Sequence, residues 1–207
     1  MRLLLTGFEP FGDGTVNPSE LVVRRLQSAP PPGVELATAI LPVDRHGGPA
    51  RLLQAVAESR PEAVLCLGQA SGRMFLSIER IAVNLLDYPM ADNAGFQARD
   101  ESIAPGGPAA YFATLPVRAI LQAVRSVHVP VELSLSAGAF LCNQVLYELL
   151  HSLHVRGQAI PAGFIHVPAM PEQAANRHPA IPSMSVVTMT TGIRAAIRAI
   201  AGSVRPT

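Results

Sequence analysis

The stretch Ser134-Leu-Ser-Ala-Gly-Ala-Phe-Leu-Cys142-Asn-Gln-Val-Leu-Tyr147 joins two hydrophobic patterns of different period. Apolar and polar residues alternate over 131–136, a period of two that is typical of a β-strand. Leucines then recur at helical spacing over 146–153, so the small residues between the two patterns predict a strand-to-helix turn. Cys142 therefore falls in the first turn of the predicted helix, where unpaired backbone N–H groups favour a thiolate over a thiol.

Cys142 taken alone could also be an ordinary small apolar residue that packs a helix start. The adjacent amides of Asn143 and Gln144 and the flexible Gly138 favour a reactive cysteine, because an inert core position needs none of them. The pattern Ser-x-x-Ala-Gly-x-x-x-Cys-Asn resembles the nucleophile motif of the pyroglutamyl peptidase I family, also called pyrrolidone carboxyl peptidases. By this resemblance Cys142 is the catalytic nucleophile.

The composition excludes several classes of protein. The 207 residues are enough for one domain with a full core, and we expect a single catalytic domain over 1–207. Sixteen Lys and Arg against fifteen Asp and Glu leave a net charge of +1, so nothing indicates a nucleic acid or an anionic membrane as partner.

The uncharged run from Glu132 to Glu148 is shorter than the ~20 residues that a membrane-spanning helix needs. The apolar run 3–5 is too short for the apolar part of a signal peptide. Two cysteines far apart in sequence, Cys66 and Cys142, predict free thiols in a reducing compartment. We therefore expect a cytoplasmic protein.

The order of the patterns predicts the fold. Apolar strand patterns alternate with amphipathic helical patterns, and this alternation is typical of a mainly parallel sheet covered by helices. Strands are predicted at 1–6, 34–41, 63–67, 75–83, 131–136 and 162–168, and helices at 18–28, 44–59, 117–127, 142–153 and 183–202. The prediction is an α/β protein, a three-layer α/β/α sandwich with a mainly parallel or mixed twisted sheet. Cys66, in the third apolar strand, is a predicted core residue.

The glycine-rich loop 7–14 follows the first strand, where open α/β sheets bind ligands. Neither G-x-G-x-x-G nor the Walker pattern is present, so a nucleotide site is not indicated. Taken alone, Phe8 and Phe11 could simply pack into the core. Thr-Gly-Phe-Glu-Pro-Phe-Gly followed by Asn-Pro-Ser resembles the N-terminal signature of the same family. The resemblance implies that Phe8 and Phe11 flank the lactam ring of the substrate, and that Asn17 fixes the loop or bonds the ring.

A second family signature lies within 68–84. Glu79 and its neighbour Arg80 alone would be a solvated pair of charges. However, Gly-x-Ala-x-Gly-Arg followed by Glu-Arg-x-Ala-x-Asn resembles the family pattern, which implies that Glu79 belongs to a catalytic triad and that Gln69 binds the lactam. The segment 85–107 reads as a long loop. Here the family usually has an Arg that can help form the oxyanion site, whereas this chain has Pro89, which has no hydrogen-bond donor.

Histidine patterns complete the site. A lone histidine on an apolar strand is more often a satisfied core residue. However, Gly-Phe-Ile-His-Val-Pro at 163–168 resembles the third family signature, in which the histidine, here His166, is the general base. His151 and His154 share a helix end, but no third metal ligand follows in pattern, so we expect surface residues rather than a metal site.

Together the resemblances imply a cysteine exopeptidase (omega peptidase) that hydrolyses the bond after an N-terminal pyroglutamyl (5-oxoproline) residue of peptides. Cys142 would be the nucleophile, His166 the base and Glu79 the residue that orients it, with no metal or cofactor. Family members are commonly homo-oligomers, which implies a tetramer or dimer. Two alternatives are a non-catalytic α/β module that binds a small ring and a different cysteine amidohydrolase.

Overall fold

Strands and helices alternate along residues 1–175 and 177–203, the part of the chain that this computed structural model describes. The strands are β1 (Arg2–Phe8), β2 (Glu35–Leu41), β3 (Ala63–Gln69), β4 (Leu76–Glu79), β5 (Ile81–Val83), β6 (Ala110–Phe112), β7 (Val131–Ser134) and β8 (Ala162–Val167). The helices are α1 (Pro18–Ser28), α2 (Gly47–Ser59), α3 (Val117–Ser126), α4 (Leu141–Val155), α5 (Pro171–Ala174) and α6 (Val186–Ser203).

Six strands form one mixed sheet in the order β2-β1-β3-β8-β4-β7. Every neighbouring pair is parallel except β4 and β8, which run antiparallel. The central strands β1, β3 and β8 are buried along nearly their whole length, as expected for strands covered by helices on both faces. Strand β8 comes last in the chain, yet it lies between β3 and β4. Strands β5 and β6 form a separate antiparallel pair.

Two hydrophobic clusters lie on opposite faces of the sheet and make the layers. Alternate residues of β3 divide between them, because successive side chains of a strand point to opposite faces. Leu65 and Leu67 join the cluster with α1, α3 and α6, whereas Val64 and Cys66 join the cluster with α2 and α4. Cys66 is fully buried, as predicted. The arrangement is the predicted three-layer α/β fold with a mixed sheet.

Some element boundaries differ from the prediction for local reasons. Helix α1 spans Pro18–Ser28 as predicted, but α2 begins at Gly47 rather than at residue 44, because the Asp44 carboxylate accepts the backbone N–H groups of His46 and Gly47 and forms a turn. Likewise α6 begins at Val186 rather than at 183, and the Ser185 hydroxyl accepts the backbone N–H of Thr188 at 3.1 Å.

The predicted strand 75–83 is two strands that turn at Arg80. The Arg80 N–H donates to Ser134 of β7, while its carbonyl accepts the N–H of Ala113 beyond β6. The chain therefore passes from the large sheet to the small one at a single residue. Glu79 and Arg80 are consecutive polar residues that interrupt the alternation here, a signal that the prediction of one strand over 75–83 overlooked. The short elements β6 and α5 were not predicted.

Among the described residues, no helix has both the length and the apolar character that crossing a bilayer requires.

Candidate active site

Glu79 and His166 meet on one face of the large sheet. Because β4 and β8 are antiparallel, Ser77 lies opposite His166 and Glu79 lies opposite Phe164, which makes Glu79 and His166 diagonal neighbours. The Glu79 Oε1 atom is 2.8 Å from His166 Nδ1, and both side chains are buried. This burial rules out a solvated Glu79–Arg80 pair. An ionised carboxylate only accepts, so Nδ1 carries the proton and Nε2 is the basic atom.

Cys142 is the second residue of α4, whose N-cap residue Phe140 has extended backbone. Gly68 of β3 pairs with His166 of β8. A Cβ atom at Gly68 would lie 2.8 Å from Cys142 Sγ and 2.7 Å from Phe164 Cζ. The missing side chain at Gly68 therefore lets α4 bring the thiol against the strand beside His166. No hydrogen bond joins the Cys142 thiol to His166 within the described part of the chain.

A small cavity, partly open to solvent, lies beside the thiol. It is lined mainly by apolar and amide side chains: Phe8, Phe11, Asn17, Val43, Gln69, Phe140, Leu141 and Cys142. The structure thus brings the four predicted substrate-binding residues together with the predicted nucleophile. Val43, Phe140 and Leu141 were missed, because isolated apolar residues at element ends carry no sequence signal of a binding role.

Asn17 holds the loop that carries the two phenylalanines. Its Oδ1 accepts the Ser19 N–H at 3.0 Å and the Ser19 hydroxyl at 2.8 Å, which caps α1, and its Nδ2 donates to the Glu9 carbonyl at 2.9 Å. Phe8 is buried and lies 6.5 Å from the ring of Phe164, centroid to centroid. The wall of the cavity is therefore fixed by the start of α1 as well as by β1.

Gln69 is held by a second glutamine that sequence reasoning missed. The side-chain amides of Gln69 and Gln173 face each other at 3.3 and 3.4 Å. Gln173 also accepts the Met170 N–H at 2.9 Å and donates to the Val16 carbonyl at 3.1 Å. It therefore connects the loop after β8 to both walls of the cavity. Gln173 lies on the four-residue helix α5, which is too short for a recognisable pattern.

Comparison with known proteins identifies the family to which this chain belongs. The pyroglutamyl peptidase family matches residues 1–203. The chain belongs to this family. The pyrrolidone-carboxylate peptidase of Vibrio vulnificus is 48% identical over 93% of this chain and 89% of its own length. That of Gloeobacter violaceus is 48% identical over 93% of each chain.

Solved structures of pyroglutamyl peptidases have the same fold. The Bacillus amyloliquefaciens pyroglutamyl peptidase I superposes with a TM-score of 0.94 at 35% identity, covering 100% of this chain and 99% of that one. A mutant pyrrolidone carboxyl peptidase from Pyrococcus furiosus gives 0.95 at 36% identity, with 99% and 100% coverage. The predicted fold and the predicted cysteine-type pyroglutamyl peptidase are confirmed. The alternatives of a ring-binding module and a different amidohydrolase are set aside.

The protonation state of this peptidase site is set mainly by burial. Burial raises the pKa of the Cys142 thiol to about 12, and the Glu79 carboxylate adds to the increase. Burial also lowers the pKa of His166, against the opposing effect of Glu79. The resting site therefore contains a thiol and a neutral imidazole. The helix N-terminus was expected to favour a thiolate, whereas desolvation of the sulfur and the nearby Glu79 carboxylate act in the opposite direction.

The two amides that follow Cys142 in the sequence, Asn143 and Gln144, bond neighbouring segments of the chain rather than the sulfur. Asn143 donates to the carbonyls of Val83 and Leu85 at 2.9 and 3.1 Å and accepts the Val83 N–H at 2.9 Å. Gln144 bonds the Tyr88 hydroxyl and the backbone carbonyl of Arg45. The expectation that these amides border the thiol was wrong, since both tie α4 to neighbouring segments.

The segment that contains Pro89 packs against the turn before α4. The Asp87 N–H donates to the Ala139 carbonyl at 3.0 Å. The rings of Tyr88 and Phe140 pack edge to face, with 4.7 Å between their centroids. No side chain of the described residues caps α4, which leaves N–H groups of its first turn available to a ligand.

The other histidines and acidic residues form no recognisable metal site in this pyroglutamyl peptidase. Within residues 1–175 and 177–203, no group of three or more His, Cys, Asp or Glu side chains could hold a metal ion. His151 Nδ1 lies 2.8 Å from the Tyr111 hydroxyl, and His154 is exposed at the end of the same helix.

Proposed function

We propose that Cys142, His166 and Glu79 are the catalytic residues with which this chain, as a single domain over 1–207, removes N-terminal pyroglutamate from peptides. The observation that carries the proposal is the cavity in which the predicted lactam-binding side chains lie beside Cys142. The buried contact of 2.8 Å between Glu79 and His166 supports the roles of the other two residues. One six-stranded sheet with helices on both faces supports the single domain.

The reaction begins with a neutral thiol and a neutral imidazole. His166 Nε2 accepts the Cys142 proton when the peptide is bound, since contacts that are absent in the free site can tighten in the complex. The sulfur attacks the acyl carbon of the pyroglutamyl residue, and Glu79 stabilises the imidazolium that forms. His166 then returns the proton to the leaving amine, and water hydrolyses the thioester.

The oxyanion of both tetrahedral intermediates lies at the start of α4 in this mechanism. The backbone N–H of Cys142 and a second amide from a neighbouring loop would donate to it, each worth about 3 to 4 kcal/mol in comparable sites. Pro89 has no donor to contribute, so the backbone carries this part of the reaction.

Phe8, Phe11, Asn17 and Gln69 form the lactam site. A pyroglutamyl residue has neither a free amine nor a side-chain carboxylate, so it enters an apolar slot without burying charge. Its ring N–H and C=O need only amide or backbone partners. Within the loop segments 7–17 and 68–74, Arg73 is the one cation, and it already bonds Glu79 at 2.7 Å.

The proposal extends to assembly and location. A homo-oligomer, either a tetramer or a dimer, is supported by Phe112, which is 68% exposed on the β5–β6 pair beside a groove of apolar residues. The molar mass from light scattering tests this assembly. The two free cysteines support a cytoplasmic location. A net charge of +1 supports peptides, rather than nucleic acid or membrane, as partners.

The catalytic roles are tested by comparing the two cysteines. Cys142→Ala should abolish release of the amine from a pyroglutamyl amide while the protein stays folded. Cys66→Ala, the matched control, should keep its activity because Cys66 is in the core. Iodoacetamide should inactivate the wild type and the Cys66 variant alike. Near wild-type turnover by Cys142→Ala would reassign the nucleophile.

The lactam site is tested by replacing the substrate. Desolvating the two charges of a glutamyl residue should cost several kcal/mol. At about 1.4 kcal/mol per factor of ten, kcat/KM for the glutamyl amide should be at least ~100-fold lower than for the pyroglutamyl amide. Comparable rates for the two amides would contradict this assignment of the cavity, whichever cysteine is catalytic.

A further inference from the structure

Arg73 contacts the same carboxylate oxygen as the imidazole. Its Nη1 atom donates to Glu79 Oε1 at 2.7 Å, and His166 Nδ1 lies 2.8 Å from that oxygen. Nη1 also lies 3.3 Å from the Ser134 hydroxyl, and Nη2 donates to the Ser136 carbonyl at 2.8 Å. One guanidinium thus joins Glu79 to the turn that precedes the nucleophile helix.

The burial of Glu79 makes this contact important. The Glu79 side chain is fully buried, whereas that of Arg73 is 27% exposed. The second oxygen, Glu79 Oε2, is buried without a hydrogen-bond partner among the described residues. A neutral His166 cannot balance the carboxylate charge, and a buried charge without a partner is costly. The guanidinium is therefore the permanent counter-charge of Glu79 in the resting site.

We propose that Arg73 is a positioning residue: it orients Glu79 and balances its charge, so that His166 is neutral, and therefore basic, before substrate binds. The proposal rests on the catalytic roles of Glu79 and His166 given above. Without Arg73, the uncompensated carboxylate would draw a proton onto His166, and the imidazolium could no longer accept the proton of Cys142.

Other charged groups near His166 do not replace Arg73. The charged or titratable side chains around His166 come from several elements: Glu79 on β4, Arg73 on the loop before it, Cys142 on α4 and, through the Ser77 hydroxyl at 2.8 Å, Glu132 on β7. Arg73 is the cation of this set. The Arg73 charge also opposes protonation of His166 directly, and it is among the causes that lower the pKa of that residue.

The test measures the pKa of His166 in the free protein, from the pH dependence of its imidazole C2–H resonance, assigned with a His166→Gln variant. Arg73→Gln should raise this pKa by about one unit, since an ion close to a titrating group shifts its pKa by one unit or more. Arg73→Lys, which keeps the charge, should restore most of the wild-type value. Arg80→Gln, the matched control, removes a neighbouring arginine that has no ion pair with Glu79 and should leave the value unchanged.

Kinetics provide the second measurement. The acid limb of kcat/KM for a pyroglutamyl amide should move to higher pH in Arg73→Gln by the same amount as the His166 pKa. A purely structural role would lower kcat/KM equally at every pH. An unchanged His166 pKa in a folded Arg73→Gln protein, checked by circular dichroism, would overturn the proposal. The resonance does not depend on turnover, so an error in the proposed function would show separately, as active Cys142→Ala.

Discussion

Gly68 is the residue on which the approach of the nucleophile to the sheet depends. In Gly68→Ala, the new methyl group would lie 2.8 Å from Cys142 Sγ and 2.7 Å from the Phe164 ring, so the thiol or the strand must move. A displacement of about 1 Å can cost a factor of 10² in rate, and we expect a loss of kcat/KM of that order in a folded protein.

Gly202→Ala is the control for this substitution. Gly202 is exposed near the end of α6, and a methyl group there meets nothing within 4 Å. Gly202→Ala should therefore leave kcat/KM unchanged. Full activity in Gly68→Ala, measured side by side with the control, would show that the thiol position tolerates a side chain at residue 68.

The pH dependence of kcat/KM also depends on a single residue, because it reports the pKa of His166. Burial lowers the pKa of His166 from 6.5, so the base stays neutral and activity persists as pH falls to 6.5, declining only at lower pH. Glu79 acts in the opposite direction and raises this pKa. Glu79→Gln should therefore move the acid limb to still lower pH, while kcat falls because the imidazolium loses its counter-charge. An upward shift in this variant would reverse the assigned effect of Glu79.

The sequence carries clearer signals for the proposed catalytic residues than for the residues that hold them. Cys142, His166 and Glu79 lie in recognisable motifs, and their catalytic roles stay a proposal. Gln173 contacts Gln69 across 104 positions of sequence, and no local pattern contains such a pair. The partners of Arg73 depend on the neighbours of β4 in the sheet, which periodicity does not specify.

At the scale of elements, Asn143 joins α4 to the chain beyond β5. Asn143→Ala would remove all three hydrogen bonds of the amide. The partly buried Val83 N–H would lose its partner, whereas the Val83 carbonyl would keep its bond from the Leu85 N–H. We expect the free energy of unfolding to fall by about 2 to 3 kcal/mol, measured by urea denaturation.

Gln54→Ala is the matched control, because Gln54 makes one exposed bond to Glu58 on α2. It should change stability by less than about 0.5 kcal/mol. Equal effects of the two substitutions would refute a role for Asn143 in joining these elements.

Helices and strands whose ends are marked by local sequence signals were predicted more accurately than those whose ends are not. The predicted span of helix α1 agrees with the structure, because Pro18, Ser19 and the later prolines mark its ends. The start of α2 was missed by three residues, since residues 44–46 are all polar and give no apolar spacing that could mark where the helix begins. The division between β4 and β5 was missed because a hydrogen bond from Arg80 to another strand decides it.

At the scale of the whole molecule, the strand order explains what sequence reasoning could not give. Alternating strands and helices predict parallel neighbours, and most pairs of the sheet obey that rule. The antiparallel contact of β4 with β8 does not follow from the alternation, yet it is the contact that brings Glu79 to His166 across 87 positions. Long-range packing on both faces selects this order, and no window of sequence contains that information.

The central position of β8 also has a consequence for synthesis on the ribosome. Until residues 162–167 emerge, β3 and β4 have no partner at the edges that β8 later fills, and the β3 edge is almost wholly apolar. At about 5 to 20 residues per second, the residues from the end of β3 to the end of β8 take roughly 5 to 20 seconds to synthesise, and the nascent chain spends that time in this state. A chain that ends at Ile160 should therefore aggregate rather than form a smaller stable domain, which sedimentation of the translated product would reveal. The late strand makes this enzyme dependent on protection of its nascent chain, a cost that a sheet assembled from one edge to the other in order of synthesis would avoid.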